Sequence, residues 1–339
     1  MRFRLKRIMF AVLSTLVCCG ALSSCQGLVY DNEGDCDVHY RVKFRYDRNL
    51  LFADAFAHEV KAVTLYVLDP ATGAVVLSKT ESGDVLSTGD YEMELDLQPG
   101  KYDLLAWCQG DDCKSFIIGD ATSKKDLTCA VVSKTAADGS AYVDSRLDGL
   151  YHGYVADVDF TKDEGTVVAE VPLTKDTNYF TVILQHISGS ALDKDKFSFA
   201  IVEDNGLMDW DNSLMRGGEV TYKAWSVESG SAEVEKVDTR AASLLNLAVA
   251  EISTGRLMYG RSPRLVVTNN ENDATVLSVP VVDFALLVKG KYNQSMDEQE
   301  YLDRQDEYNM VFFLDDGDRW INSFIYVNSW KVVLQQSNL

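Results

Sequence analysis

The sequence predicts an all-β protein: two antiparallel β-sandwiches in tandem behind a secretion signal. Three observations carry this. Short apolar runs alternate with polar residues and are separated by turn residues at hairpin spacing. One segment alone has good helical character. The 304 residues from 36 to 339 suit two sandwiches with generous loops, since seven strands need roughly 100 residues.

Residues 1–24 read as a lipoprotein signal peptide. Arg2, Arg4, Lys6 and Arg7 form a positive start, and Ile8–Leu22 follows without a charge. As a helix that run would span about 22 Å, short of the roughly 30 Å of hydrocarbon in a bilayer, so a signal is the better reading than a permanent span. The segment Leu22-Ser23-Ser24-Cys25 resembles a bacterial lipobox, which implies cleavage before Cys25 and acylation of that residue; an ordinary signal peptide with an incidental Cys is the alternative. Residues 25–35, with Gly27, Gly34, Asp31, Glu33 and Asp35, read as an acylated tether. Acids this soon after the acylated Cys resemble the surface-export signals of Bacteroidetes lipoproteins, which implies an outer-membrane, surface-exposed protein.

Lys plus Arg number 32 against 52 Asp plus Glu, a formal net charge of −20; loss of the four basic residues in 1–24 leaves 28 against 52, or −24. Such a body repels polyanions. Nucleic-acid binding that depends on Lys and Arg displacing counterions is excluded, as is docking on anionic lipid through a basic face. Membrane attachment therefore falls to acyl chains, at about 0.8 kcal/mol per buried CH₂.

The N-terminal sandwich is expected over 36–160. Its first strand alternates strictly, with Cys36, Val38, Tyr40, Val42, Phe44 and Tyr46 against Asp37, His39, Arg41, Lys43 and Arg45. A helical turn or two fits Asp54–Glu59. Val63–Val67 and Tyr91–Leu97 alternate likewise, and Gln98-Pro99-Gly100 turns the chain into Tyr102–Cys108. After Tyr151–Val158 a boundary is placed near 160, ahead of the turn Lys162-Asp163-Glu164-Gly165. The C-terminal sandwich, 161–339, follows from Val167–Leu173, where Pro172 suits an edge strand, then Tyr179–Ile187, Phe197–Val202, Leu244–Ile252, Leu265–Thr268 and Val276–Leu287. Segment 296–308 reads as a mostly polar surface helix with Ser295 as N-cap and Glu298 as the capping-box acid. Ser323–Leu334 closes the chain as a strand.

Export makes disulfides possible, and Cys36, Cys108, Cys113 and Cys129 remain after cleavage as possible disulfide partners or structural thiols, with three pairings open. A zinc site would need a second Cys or His pair, which is missing. None of the four His falls in H-E-x-x-H, and no G-x-S-x-G elbow or phosphate-cradling glycine loop occurs. The acid clusters at 31–37, 209–211 and 315–318 do not follow the EF-hand pattern. The expectation is a protein without catalytic residues, metal or cofactor. His39 and His186 read as solvated, on strand faces opposite apolar neighbours. Trp210, between Asp209 and Asp211, reads as the most exposed of five Trp and would serve a sugar-stacking platform if the chain were instead a surface glycan-binding lipoprotein.

Residues Cys36–Leu68 (CDVHYRVKFRYDRNLLFADAFAHEVKAVTLYVL) resemble the opening of the Bacteroidales FimB-type fimbrial anchor and accessory lipoproteins: an R-V-x-F-x-Y strand, then Asn and a D-A-F segment, then V-x-x-V-x-L-Y-V. Arg41, Phe44, Tyr46, Asn49, Asp54, Phe56 and Val60 stand in those places. Leu97–Tyr102 running to Trp107 is similar to the family's P-G-x-Y strand, and Ile325–Trp330 to its closing V-N-x-W segment. The resemblance implies two transthyretin-like sandwiches on a palmitate-bearing lipoprotein that attaches or terminates a fimbrium, with fimbrial subunits as partners and strand-mediated contact as its activity. It implies no enzyme.

Overall fold

The structure is a computed structural model that describes residues 37–119, 121–235, 242–287, 289, 293–327 and 330–333. Residues 1–36, with Cys25 and Cys36, lie outside the described residues. In chain order the first half gives β1 Val38–Arg45, helix α1 Phe56–Glu59, β2 Ala62–Leu68, β3 Val75–Ser82, β4 Met93–Leu95 and β5 Gly100–Gln109. Four short strands follow: β6 Phe116–Ile118, β7 Cys129–Val131, β8 Lys134–Thr135 and β9 Ala141–Val143. Next come β10 Leu150–Phe160, β11 Gly165–Pro172 and β12 Thr174–Lys175. The second half gives β13 Asn178–His186, β14 Phe197–Asp204, β15 Leu207–Met208, β16 Glu219–Lys223, β17 Ser226–Glu235 and β18 Ala242–Thr254. It ends with β19 Arg264–Asn269, β20 Ala274–Pro280, α2 Val281–Leu287, α3 Glu298–Arg304, β21 Glu307–Leu314, β22 Trp320–Val327 and β23 Trp330–Val333.

Two β-sandwiches result. In the first, the sheet β11-β1-β4 covers the sheet β12-β10-β5-β2-β3. Alternation in β1 aims Tyr40, Val42 and Phe44 inward, where Phe44 stacks on Phe56 at 5.7 Å and Phe56 on Tyr91 at 6.2 Å. The loop between β1 and α1 is held by its own polar side chains. The Asp54 carboxylate accepts from the Tyr46 and Phe56 N–H groups at 3.0 and 3.1 Å, and the Asn49 amide donates to the Tyr46 and Ala53 carbonyls. In the second sandwich, β17-β18-β13-β21-β22-β23 packs on β20-β19-β14-β16-β9-β8, with the small sheet β15-β7-β6 alongside. Three pairings within this framework are parallel: β1 with β11, β13 with β21, and β9 with β16.

The two cores share a sheet. Val63, Leu65, Leu104, Ala106 and Cys108 face the first core, whereas Tyr66, Leu68, Leu105 and Trp107 of the same strands enter the second. That is why Leu104–Cys108 is an unbroken apolar run: a strand covered on both faces cannot alternate. Each of these large side chains contributes about 1.5–3 kcal/mol by leaving water. The boundary expected near 160 falls inside this arrangement. Beyond it, β11 is the parallel neighbour of β1 throughout its eight residues; before it, β7 and β9 pair with β15 and β16 of the second half.

Three local expectations change. The helix expected over 296–308 is the shorter α3, capped by Asp297, whose side chain accepts from the Glu300 N–H at 2.6 Å; Tyr301 and Leu302 are buried, and Tyr308 belongs to β21. Val276–Leu287 is a strand only to Pro280 and then turns into α2. The closing strand is a hairpin, β22 with β23, within the described residues.

Candidate functional site

Cys108 and Cys129 are buried thiols whose pKa burial pushes up, and Cys113 is half-buried; all three are free. Among the described residues no group of three or more His, Cys, Asp or Glu stands in metal-binding proximity. His39 lies 2.7 Å from Glu94 on the half-exposed face of β1. His186 departs from the expectation of a solvated ring: on β13 it shares the inward face with Phe180, Val182 and Leu184, and lies 2.9 Å from Asp318 and 3.0 Å from Ser190. His152 is buried against Trp107, and its desolvation lowers its pKa to about 4. Trp210 departs too. Local acidity suggested exposure, but Lys124, 86 residues away, lies 4.0 Å over its ring, and Tyr154 packs edge-on at 5.3 Å. The Lys124 ammonium is held there by Asp103 at 3.0 Å. Among the described residues, Trp225 is the exposed tryptophan, at 36%.

Three sheet rims bear on subunit contact. β11 is an edge strand with Thr166, Val168 and Glu170 exposed, and β3 an edge strand with Val76 half exposed. β23 is the rim of the six-stranded sheet that contains β13 and β21. β1, by contrast, is interior, paired along its length by β11 and at Tyr40–Val42 by β4. An edge strand presents backbone N–H and C=O groups that an added strand can satisfy.

The last of the chain's passages between the sandwiches, Thr174–Asn178, is a buried polar strap. Lys175 pairs with Asp306 at 2.7 Å and Glu59 at 2.8 Å, and Tyr151 donates to the same Glu59 oxygen at 2.8 Å. Burial disfavours the ammonium charge, yet Asp306 and Glu59 outweigh that and hold its pKa above the ordinary lysine value. Asp176 is fully buried. It accepts from the Asn212 amide at 2.9 Å and lies 3.6 Å from Arg256, whose guanidinium is itself paired with Asp303 at 2.8 Å. Burial, partly offset by Arg256, raises the Asp176 pKa to about 7. An adjacent Lys-Asp inside the run Val171–Phe180, whose other members apart from Asn178 are apolar or hydroxylated, was the available signal for this strap.

A cavity of about 270 Å³ opens on the outer face of the six-stranded sheet containing β13. Strand register builds it. Glu251, Thr181 and Asn309 sit side by side on β18, β13 and β21, and Tyr179 and Glu307 form the next row. Trp225, whose N–H donates to the Glu251 carbonyl at 3.0 Å, stands at one end, and Arg146 lies 4.6 Å over the Tyr179 ring. Sequence reasoning missed this group because its members come from five separate segments.

The profile of the family described as fimbrillin-A associated anchor proteins Mfa1 and Mfa2 matches residues 32–336. The chain belongs to this family. A candidate adhesin from Bacteroides thetaiotaomicron is 33% identical and superposes with a TM-score of 0.74, over 89% of this chain and all of the other. A candidate polysaccharide-binding protein from the same organism is 30% identical, also at 0.74, over 88% and 99%. The fimbrial anchor protein Mfa2 from Porphyromonas gingivalis shares the fold at 16% identity and a TM-score of 0.62, over 88% and 99%. No curated protein matches the sequence. The Asn49 and Asp54 side chains that hold the loop after β1 are motif positions of the resemblance drawn from the sequence, so those residues act as structural braces in this member of the family.

Proposed function

We propose that this chain is a non-enzymatic fimbrial anchor or accessory subunit, held in the outer membrane by acyl chains on Cys25, that attaches or terminates a surface fimbrium through strand-mediated contacts with other fimbrial subunits. The family match over residues 32–336 carries the reading. The lipobox ending at Cys25 supplies the anchor, and the rims at β11, β3 and β23 supply sites where a neighbour's strand would complete unpaired backbone groups. Two measurements test it. Labelled palmitate should enter the intact protein and fail to enter Cys25→Ala, with fimbriae shed into the medium in that variant; palmitate uptake equal in both ends the anchor claim. Deletion of residues 330–339 removes β23 and spares β22, which lies inside the sheet. Fimbriae that stay attached at normal length after that deletion would remove β23 from the contact.

A second reading, surface glycan binding, is favoured by the 30%-identical relative described as a candidate polysaccharide-binding protein. Trp210 is not its platform, since Lys124 and Tyr154 cover that ring.

A further inference from the structure

We propose that the cavity bounded by Trp225 and Tyr179 is a carbohydrate subsite that receives one uncharged pyranose ring. The inference rests on the glycan reading and adds its location and ligand class.

The first ground is what the lining groups lack. Among the described residues, the side chains of Glu251, Glu307, Asn309 and Thr181 make no hydrogen bond to the protein. Outward polar residues on a sheet are ordinarily solvated singly. Here they stand in two adjacent rows on neighbouring strands, about 4.8 Å apart from strand to strand, so the three-strand row Glu251, Thr181, Asn309 spans about 10 Å. Side chains rising from a row of that width can reach hydroxyls on opposite sides of one sugar ring through hydrogen bonds of about 2.8 Å. Carboxylates accept from hydroxyl donors, the Asn309 amide both donates and accepts, and the Thr181 hydroxyl does either.

The second ground is the aromatic boundary. Trp225 is 36% exposed on a rim and offers a flat apolar face with an indole N–H. The C–H face of a pyranose is the complement of such a surface: apolar across the ring, with polar groups at its edge. Tyr179 is fixed as the floor, because its hydroxyl donates to the Leu147 carbonyl at 3.2 Å and its ring is covered by Arg146.

The third ground selects the ligand's charge. Glu251 and Glu307 put two carboxylates in the lining, while the Arg146 guanidinium is already paired with Asp111 at 3.0 Å. A sialic acid or sulfated sugar would meet like charges, so the site selects neutral rings. At about 270 Å³ the cavity is below the roughly 300–1,000 Å³ of drug-sized sites, which suits a single ring at the end or branch of a longer glycan.

The full secreted chain is applied to an array of immobilised neutral, sialylated and sulfated oligosaccharides. Affinities are then measured by titration calorimetry with methyl glycosides of glucose, galactose, mannose and N-acetylglucosamine. Binding to neutral glycans that falls about ten-fold or more in Trp225→Ala, and also falls in the isosteric Glu251→Gln, with circular dichroism and melting temperature unchanged, is the expected result. Neutral-glycan binding by the parent chain that both variants retain would overturn the subsite and leave the glycan reading standing. No binding to any neutral glycan would overturn both. Preference for sialylated or sulfated arrays would overturn the ligand class assigned here.

Discussion

Replacing Asp176 by Asn should abolish one component of the protein's pH-dependent stability. Asp176 is inaccessible to solvent, and burial raises its pKa from the ordinary 3.8 to about 7. Below about pH 4 the carboxyl is protonated whether the chain is folded or not. Between about 4 and 7 the folded state keeps the proton and the unfolded state gives it up, so unfolding releases a proton and stability falls as pH rises. The full effect is about three pH units at 1.36 kcal/mol each, about 4 kcal/mol, of which about 3 kcal/mol is lost between pH 5 and 8. Urea unfolding followed by tryptophan fluorescence at pH 5, 6, 7 and 8 measures it. Asp176→Asn has no proton to release, so its profile over that range should be flatter than the parent's by about 3 kcal/mol, and it should be the more stable protein at pH 8. Parallel profiles would refute the reasoning, because they would mean that Asp176 is ionised beside Arg256 throughout.

Lys175→Met should cost about 3 kcal/mol in the same unfolding assay, the low end for breaking a buried ion pair, because Glu59 and Asp306 retain some contact with water; a loss below 1 kcal/mol would contradict the role given to this lysine. Gly153→Ala should lose about 1–3 kcal/mol, since a Cβ there would stand 2.6 Å from Val171 Cγ1 and 2.7 Å from the Pro172 carbonyl oxygen, and an unchanged melting temperature would show that the strands can part. Iodoacetamide should leave Cys108 and Cys129 unmodified in the native protein and label both after denaturation, as read by peptide mass spectrometry. Recovery of either in a disulfide would contradict the free thiols.

What was legible in the sequence was local. The alternation Tyr40, Val42, Phe44 marked β1, and Gln98-Pro99-Gly100 marked the turn into β5, because period and turn chemistry act within a few residues. Pairing across distance was not. The β1–β11 ladder joins residues more than 120 positions apart, and nothing in Gly165–Pro172 says that its neighbour is the first strand. Trp210 failed for the same reason: its flanking acids advertise solvent, whereas Lys124 and Tyr154 cover it from elsewhere. The cap of α3 was a choice between two valid signals, since Ser295 and Asp297 each precede an acid by three residues, and the Asp lies nearer the buried pair Tyr301 and Leu302. In Val276–Leu287 the apolar run hid a change of period at Pro280. Of the candidate sites, the Trp225 cavity was not readable, because strand register assembles it from separate segments.

The position of β1 between β11 and β4 has a mechanical consequence. A pull on the chain ahead of Asp37 runs along the axis of β1, and its eight paired positions with β11, from Val38–Gly165 to Arg45–Pro172, are loaded side by side in shear, not peeled one at a time. The load then spreads through a core that the second sandwich also grips. Force applied at that end of β1 is therefore shared by the whole ladder.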